Sequence, residues 1–278
     1  MGLFNWFKKD SGKELKETKE TTNTTAPSET EEERLLLAMP MFENGEKYSI
    51  EAVLKVLTTQ WGYEIEGTDY DDTTAVLTIA GTMFAIAYIP AAIPEEDIKH
   101  TAQFAYNWPK VIEETQAVDS HAIVSVMSGS MSIVERYLLL SRILYAIMET
   151  TPSCVGVYQG SQTLLIPREQ YLDYKEELNE EKVLVPLWIY IGLRNSEEGN
   201  SIYTYGLTAF GKQEIEVIHS SLSLDELYGF LVNICSYVIG SDVVFQHGET
   251  LGYTAEQKIN ITSSPGVFVE GNTLKLEM

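Results

Sequence analysis

Glu214 and Glu216 occupy alternate positions in the segment 205–217, Tyr-Gly-Leu-Thr-Ala-Phe-Gly-Lys-Gln-Glu-Ile-Glu-Val, and alternate residues of an extended strand share a face. With His219, or with His247 and Glu249 of the later turn His-Gly-Glu-Thr-Leu-Gly, they supply the donor types of an acid/base pair or a divalent-metal site. The same spacing describes the wet face of a half-exposed strand. On that reading Glu214 and Glu216 form an acidic edge that meets a partner, and reversing their charge leaves the fold intact.

A second candidate surface is aromatic. Trp188 and Tyr190 alternate along one expected strand, and Tyr203 and Tyr205 along the next, so a hairpin would gather them into a cross-strand patch. Aromatic rings with polar tips are favoured at protein interfaces. The competing reading places them under a helix as core.

Other constellations fall short of chemistry. Ser128-Gly129-Ser130 stands between an expected strand and a capped helix, where backbone N–H groups can hold an anion, but it lacks the lysine and spacing of a phosphate loop. Asp69, Asp71 and Asp72 cluster carboxylates without the glycine and terminal glutamate of a calcium loop. Both read as turns. The four histidines are scattered, no Gly-x-Ser-x-Gly elbow is present, and Cys154 and Cys235 lack zinc-site spacing. The expectation is no metal, no cofactor, and two buried thiols in a reducing compartment.

Charge narrows the partners. Against 19 Lys and Arg stand 41 Asp and Glu, a formal net charge of −22, which repels phosphate backbones and attracts basic proteins. Nucleic acid is therefore not an expected partner. No apolar run reaches the roughly 20 residues that span a bilayer. The segment from Met1 to Lys9 is apolar and aromatic but lacks the order and cleavage site of a signal peptide, leaving weak peripheral membrane contact as its one membrane role.

The elements that must position these residues follow from periodicity. Residues 10–33 are rich in Lys, Glu, Thr and Ser with almost nothing to bury, so residues 1–33 read as a disordered polar tether with a short apolar start. An apolar run at 35–42 predicts a covered strand, and Ser49 begins a helix stopped by Gly62. Strands at 73–79 and 82–89 join at Ala80-Gly81, a helix opens at Pro94, and a strand covers 121–127.

Ser132 and Glu135 form a capping box for a helix apolar around most of its circumference, followed by strands at 154–158 and 163–166 and a helix led by Pro167. Long strands at 183–194 and 201–209 flank a polar loop at 195–200. Ser223 and Glu226 cap a helix whose stripe is Leu224, Leu227, Phe230, Leu231, Ile234 and Val238. The fold class is α+β, with antiparallel or mixed sheets and packed helices. Residues 34–182 form one subdomain, with a ferredoxin-like half suspected from its element order, and 183–278 form a second.

The pattern Gly206-Leu207, two residues, Phe210-Gly211, then the alternating glutamates, with the later Gly248-Glu249-Thr250-x-Gly252 turn, resembles the bacterial family called domain of unknown function 4261. The resemblance covers roughly the last third of the chain. It implies a shared fold and a bacterial setting, and no mechanism.

Together these readings lead us to expect a cytoplasmic, non-catalytic binding protein that masks a basic protein partner, as an immunity or accessory protein does. One alternative is a small-molecule enzyme whose site lies between the subdomains and uses Glu214 and Glu216. Another is a peripheral scaffold attached through Met1 to Lys9. A chain beginning at Arg34 should melt cooperatively at the temperature of the full chain, because residues 1–33 bury too little to offset their ordering entropy. Loss of the cooperative transition in calorimetry would place Leu3, Phe4, Trp6 and Phe7 in the core.

Overall fold

A computed structural model describes residues 35–252 and 258–278, so the expected tether and the segment from Met1 to Lys9 lie outside the described residues. β1 (Leu36–Glu43) is the apolar run, covered on both faces. Leu36, Ala38 and Phe42 enter the main core, while Met39 and Met41 turn to a smaller cluster on the other face. The Ser49 hydroxyl accepts from the Ala52 amide to cap α1 (Ile50–Trp61), and Gly62 closes it in the left-handed conformation.

β2 (Ile65–Tyr70), β3 (Thr74–Ile79) and β4 (Thr82–Ile89) follow as an antiparallel meander. After α2 (Glu95–Ala102) and α3 (Val111–Glu114) come β5 (Val118–Val126), α4 (Ile133–Thr150), β6 (Cys154–Gln159) and β7 (Leu164–Pro167). The first sheet has seven strands in the order β2-β3-β4-β5-β1-β6-β7, with every neighbouring pair antiparallel. This departs from a four-stranded ferredoxin-like half. Helix α1 leads to β2 at the sheet's edge, with three strands between it and β1, and β6 with β7 extends the sheet beyond β1.

The helix expected after Pro167 is two short ones, α5 (Arg168–Asp173) and α6 (Lys175–Asn179), hinged at Tyr174. The long strand expected at 183–194 is also divided. Pro186, at the start of a helix where its missing N–H costs nothing, sets one turn, α7 (Val185–Trp188), before β8 (Tyr190–Ser196). β9 (Gly199–Tyr205) zips back along it, pairing Asn195 with Asn200 and Ser196 with Gly199, so the expected polar loop is mostly ladder. The strand expected at 201–209 stops at Tyr205, and residues 207–210 form a 3-10 turn.

The second sheet adds β10 (Ile215–Ser220), β11 (Thr250–Gly252), β12 (Lys258–Pro265) and β13 (Asn272–Glu277), in the order β11-β12-β13-β10-β9-β8. Its β10–β13 pair is parallel, so the sheet is mixed. Helix α8 (Leu224–Gly240) packs on β8 and β9. Mixed helix and strand content in two sheets makes the chain α+β.

Helix α4 is the element on which the core turns. Its capping box is present, and its side chains from Arg136 to Met148 are all buried. Arg142 anchors it: the guanidinium donates to the Leu178 carbonyl at 2.7 and 3.2 Å and to the Tyr63 hydroxyl at 2.7 Å, and lies over the Trp61 and Tyr63 rings. A single apolar cluster contains Phe42 and Val124 of the first sheet, Leu144 of α4, and Ile202, Val217 and Leu274 of the second. Among the described residues no helix is long and apolar enough to cross a membrane.

The α8 stripe buries Leu227, Leu231, Ile234 and Val238, and Ser223 with Glu226 closes a complete capping box. Leu231→Ala should therefore destabilise by about 2–5 kcal/mol, and Ser223→Ala by about 1 kcal/mol, in urea titrations. Equal and negligible losses would mean that α8 is peripheral.

Candidate functional site

Glu214 and Glu216 are not a solvated edge. Glu216 is 0% exposed and Glu214 is 7% exposed, and each carboxylate is surrounded by donors. Thr204 Oγ1 donates to Glu214 at 2.6 Å, and the Gly206 and Thr208 amides donate at 2.8 and 3.3 Å. Gly206 can present its N–H because it takes φ 123°, a conformation that a residue with Cβ rarely adopts. Glu214 thus pins the turn that follows β9.

Glu216 does the same for a more distant loop. Its register partner across the parallel β10–β13 pair is Lys275, whose ammonium lies 2.7 Å away. Phe268 and Val267 amides donate at 2.8 and 3.0 Å, and the Thr273 hydroxyl at 3.0 Å. Lys275 also donates to the Pro265 carbonyl at 3.1 Å. One carboxylate and one ammonium together hold the 265–271 connection between β12 and β13.

The two pinned segments wall the same cleft. It has a volume of about 520 Å³, and its lining includes Tyr205 and Thr208 from the first segment and Phe268, Val269 and Glu270 from the second. His100 and Phe104, at and just beyond the end of α2, form the opposite side, with Thr163 from the turn before β7. Tyr190 and Tyr203 make the floor, both buried.

The floor is rigid by construction. Phe268 stacks on Tyr203 with centroids 5.0 Å apart, and Tyr190 meets Phe104 edge-to-face at 5.8 Å and Tyr203 at 6.1 Å. Gly192 faces Tyr203 across the β8–β9 ladder, and a Cβ there would stand 2.0 Å from the ring, so only glycine lets Tyr203 lie flat on the strand. Thr163 holds φ 58°, an uncommon conformation for a β-branched residue that costs on the order of 1–3 kcal/mol.

The expected aromatic patch therefore divides. Tyr190, Tyr203 and Tyr205 are brought together in the cleft, and Tyr205 is 42% exposed. Trp188 is not part of it. The α7 turn takes Trp188 out of strand alternation and into the core, where Nε1 donates to Ser141 Oγ at 2.8 Å and the ring stacks on Phe210. Phe104 and Phe268 were not read from the sequence as site residues. Their signal was an aromatic residue inside a turn: Phe104 in Phe-Ala-Tyr-Asn-Trp-Pro and Phe268 in Pro-Gly-Val-Phe-Val-Glu-Gly-Asn.

The acid/base assembly does not form. His219 pairs with Glu198, His247 Nδ1 accepts from the Ser263 amide, and Glu249 accepts from the Gln246 amide, while Glu214 and Glu216 have the donors described above. Among the described residues no group of three or more His, Cys, Asp and Glu side chains could hold a metal ion. Asp71 accepts from the Thr73 amide and hydroxyl and the Thr74 amide, an ordinary turn. Ser130 Oγ donates to the Ala80 carbonyl, and the Met131 amide donates to Thr82 Oγ1, so the Ser-Gly-Ser turn is tied to the β3–β4 hairpin. Both cysteines are buried and unpaired, and burial pushes the Cys154 thiol up to about 12 and raises Cys235 as well, the reverse of an activated nucleophile. A second cavity of about 370 Å³ lies beneath α2 and α3 against Met41 and Val118, and its walls are mainly aliphatic.

The family model for a domain of unknown function, DUF4261, matches residues 203–277, the C-terminal part of the chain. That stretch begins at Tyr203 and includes both pinning carboxylates, Lys275 and the Phe268 loop. No curated protein and no solved structure matches the chain.

Burial alone would raise the Glu216 carboxyl, but the Lys275 ammonium, the Phe268 and Val267 amides and the Thr273 hydroxyl outweigh it and hold it below its ordinary 4.5. A carboxyl lowered by folding contributes stability that is full above its unfolded value and is lost as pH falls through the folded one. The melting temperature should hold steady down to about pH 5 and decline below about pH 4.5. Asp71 and Glu226, held low by local donors, add to that decline. Glu216→Gln should therefore cost about 3–5 kcal/mol at neutral pH and flatten the acid limb of the melting curve. Identical acid limbs in the two proteins would assign the decline to the surface carboxylates.

Proposed function

We propose that this chain is a non-catalytic recognition protein and that the cleft bounded by Phe104, Tyr205 and Phe268 receives a protein partner. The observation that carries the reading is the pinning. Two buried carboxylates are spent on holding the cleft's walls rather than on reactants, and a surface built in advance loses little ordering entropy on binding.

The partner class follows from charge. A formal charge of −22 steers basic proteins toward the chain, and exposed Glu270 stands at the cleft margin. A basic partner masked by an acidic one is the relation of an immunity or accessory protein to its target, and a cytoplasmic bacterial setting is the one we propose for it. A small-molecule enzyme using Glu214 and Glu216 would need carboxylates free to exchange protons, and both already accept several hydrogen bonds.

Replacing Tyr205 with the photo-crosslinking residue p-benzoylphenylalanine should give a discrete protein adduct in the native cell. The same residue at Tyr237, exposed on α8 and outside the cleft lining, should not. Association of the captured partner should slow as salt rises, because screening weakens long-range steering. No adduct at 205, or equal adducts at both positions, would remove the cleft from the binding surface.

A further inference from the structure

The geometry points to a guanidinium group as the cleft's ligand: we infer that it takes a single arginine side chain of the partner, an inference that rests on the recognition reading above. The accessible walls are rings, since Tyr205 is exposed and Phe104 and Phe268 are partly exposed. Aromatic faces carry negative potential and attract cations, with arginine the commoner partner. Among the described residues lining the cleft there is no lysine or arginine, and Arg194 reaches only the Tyr203 ring of the floor, leaving Phe104, Tyr205 and Phe268 for a ligand cation.

Charge and hydrogen-bonding groups are placed to match. Glu270 supplies an exposed carboxylate, which a guanidinium can meet with two parallel N–H groups. Thr163 and Thr208 add hydroxyl oxygens to the same lining. A volume of about 520 Å³ is a ligand-sized space, comfortably larger than one side chain.

The protein already uses this pairing. Arg194 places its guanidinium 5.6 Å from the Tyr203 ring centre and donates to the Tyr203 hydroxyl at 3.2 Å, at the edge of the cleft floor. Arg142 lies 5.4 Å from the ring centres of both Trp61 and Tyr63 in the core. A planar, weakly hydrated guanidinium gives up less solvation than an ammonium when it enters between rings, which favours arginine over lysine.

The test uses the full chain and three capped heptapeptides of glycine and serine that differ at a central arginine, lysine or citrulline. Citrulline keeps the shape and removes the charge. In NMR titrations that follow the Gly206 and Phe268 amides, the arginine peptide should bind at least about tenfold more tightly than the citrulline peptide and several-fold more tightly than the lysine peptide. Glu270→Gln, an exposed position, should weaken the arginine peptide several-fold with an unchanged melting temperature, and Tyr205→Leu should do the same.

Equal affinity for arginine and citrulline, or no response from any peptide, would overturn the inference. The two readings separate. A crosslink at position 205 that persists when arginine and citrulline bind alike leaves the cleft as a partner site with a different ligand. Loss of the crosslink removes the site itself.

Discussion

The buried contact between Glu216 and Lys275 is the constraint from which the second sheet takes its form. β10 and β13 are the parallel pair in a sheet whose other neighbours run antiparallel, and such a pair cannot be closed by a tight hairpin. The chain must leave β10, form α8, return through β11 and β12, and arrive at β13 in register. An ammonium and a carboxylate at the register position define that arrival, since the carboxylate is fully buried and a slip would strand it without its counter-charge. The remaining lone pairs of Glu216 accept from the 267–268 backbone, so the interaction that sets the register also shapes the loop.

That shaping reaches the first sheet through aromatic packing. Phe268 stacks on Tyr203, Tyr203 meets Tyr190, and Tyr190 meets Phe104 beyond α2. Tyr190 also lies near Tyr106, which stands edge-to-face with Tyr228 of α8. The cleft therefore has one wall from each sheet's neighbourhood and a floor supplied by β8 and β9 of the second sheet. On the far side of the same hairpin, Trp188 and Phe210 pack against Tyr137 of α4. The continuous core between the sheets resists rigid-body opening, because closely packed interiors deform poorly.

What could be read from the sequence was local in origin. Ser132 with Glu135 and Ser223 with Glu226 satisfy helix termini within three residues, so the chemistry is visible in any short window. The β3–β4 hairpin is equally self-contained. The roles of Glu214 and Glu216 look the same by spacing as a solvated strand face, and the difference lies in donors supplied elsewhere. Those of Glu216 come from positions 51 and 52 residues later, beyond any periodicity argument. Trp188 leaves the expected strand face for a nearer reason, since Pro186 opens a helical turn that includes it. Phe268 sits between Gly266 and Gly271 in a segment whose composition says turn, and only the stack on Tyr203 gives the ring a purpose.

A division of labour between charge and shape accounts for an acidic protein whose cleft is lined largely by aromatic residues. Most of the acidic residues are exposed and act at a distance, where they bias which molecules approach, and screening limits their contribution to the bound state. The carboxylates that could have acted at contact distance are instead buried and already bonded to the protein's own amides and lysine. The cleft lining is mostly rings, with exposed Glu270 and the buried, already bonded Glu214 among them. On the reading we propose, such a surface distinguishes ligands by the shape and polarisability of a cation. The selectivity of that proposed surface then depends on the two inward-facing glutamates, which hold the segments that carry the rings.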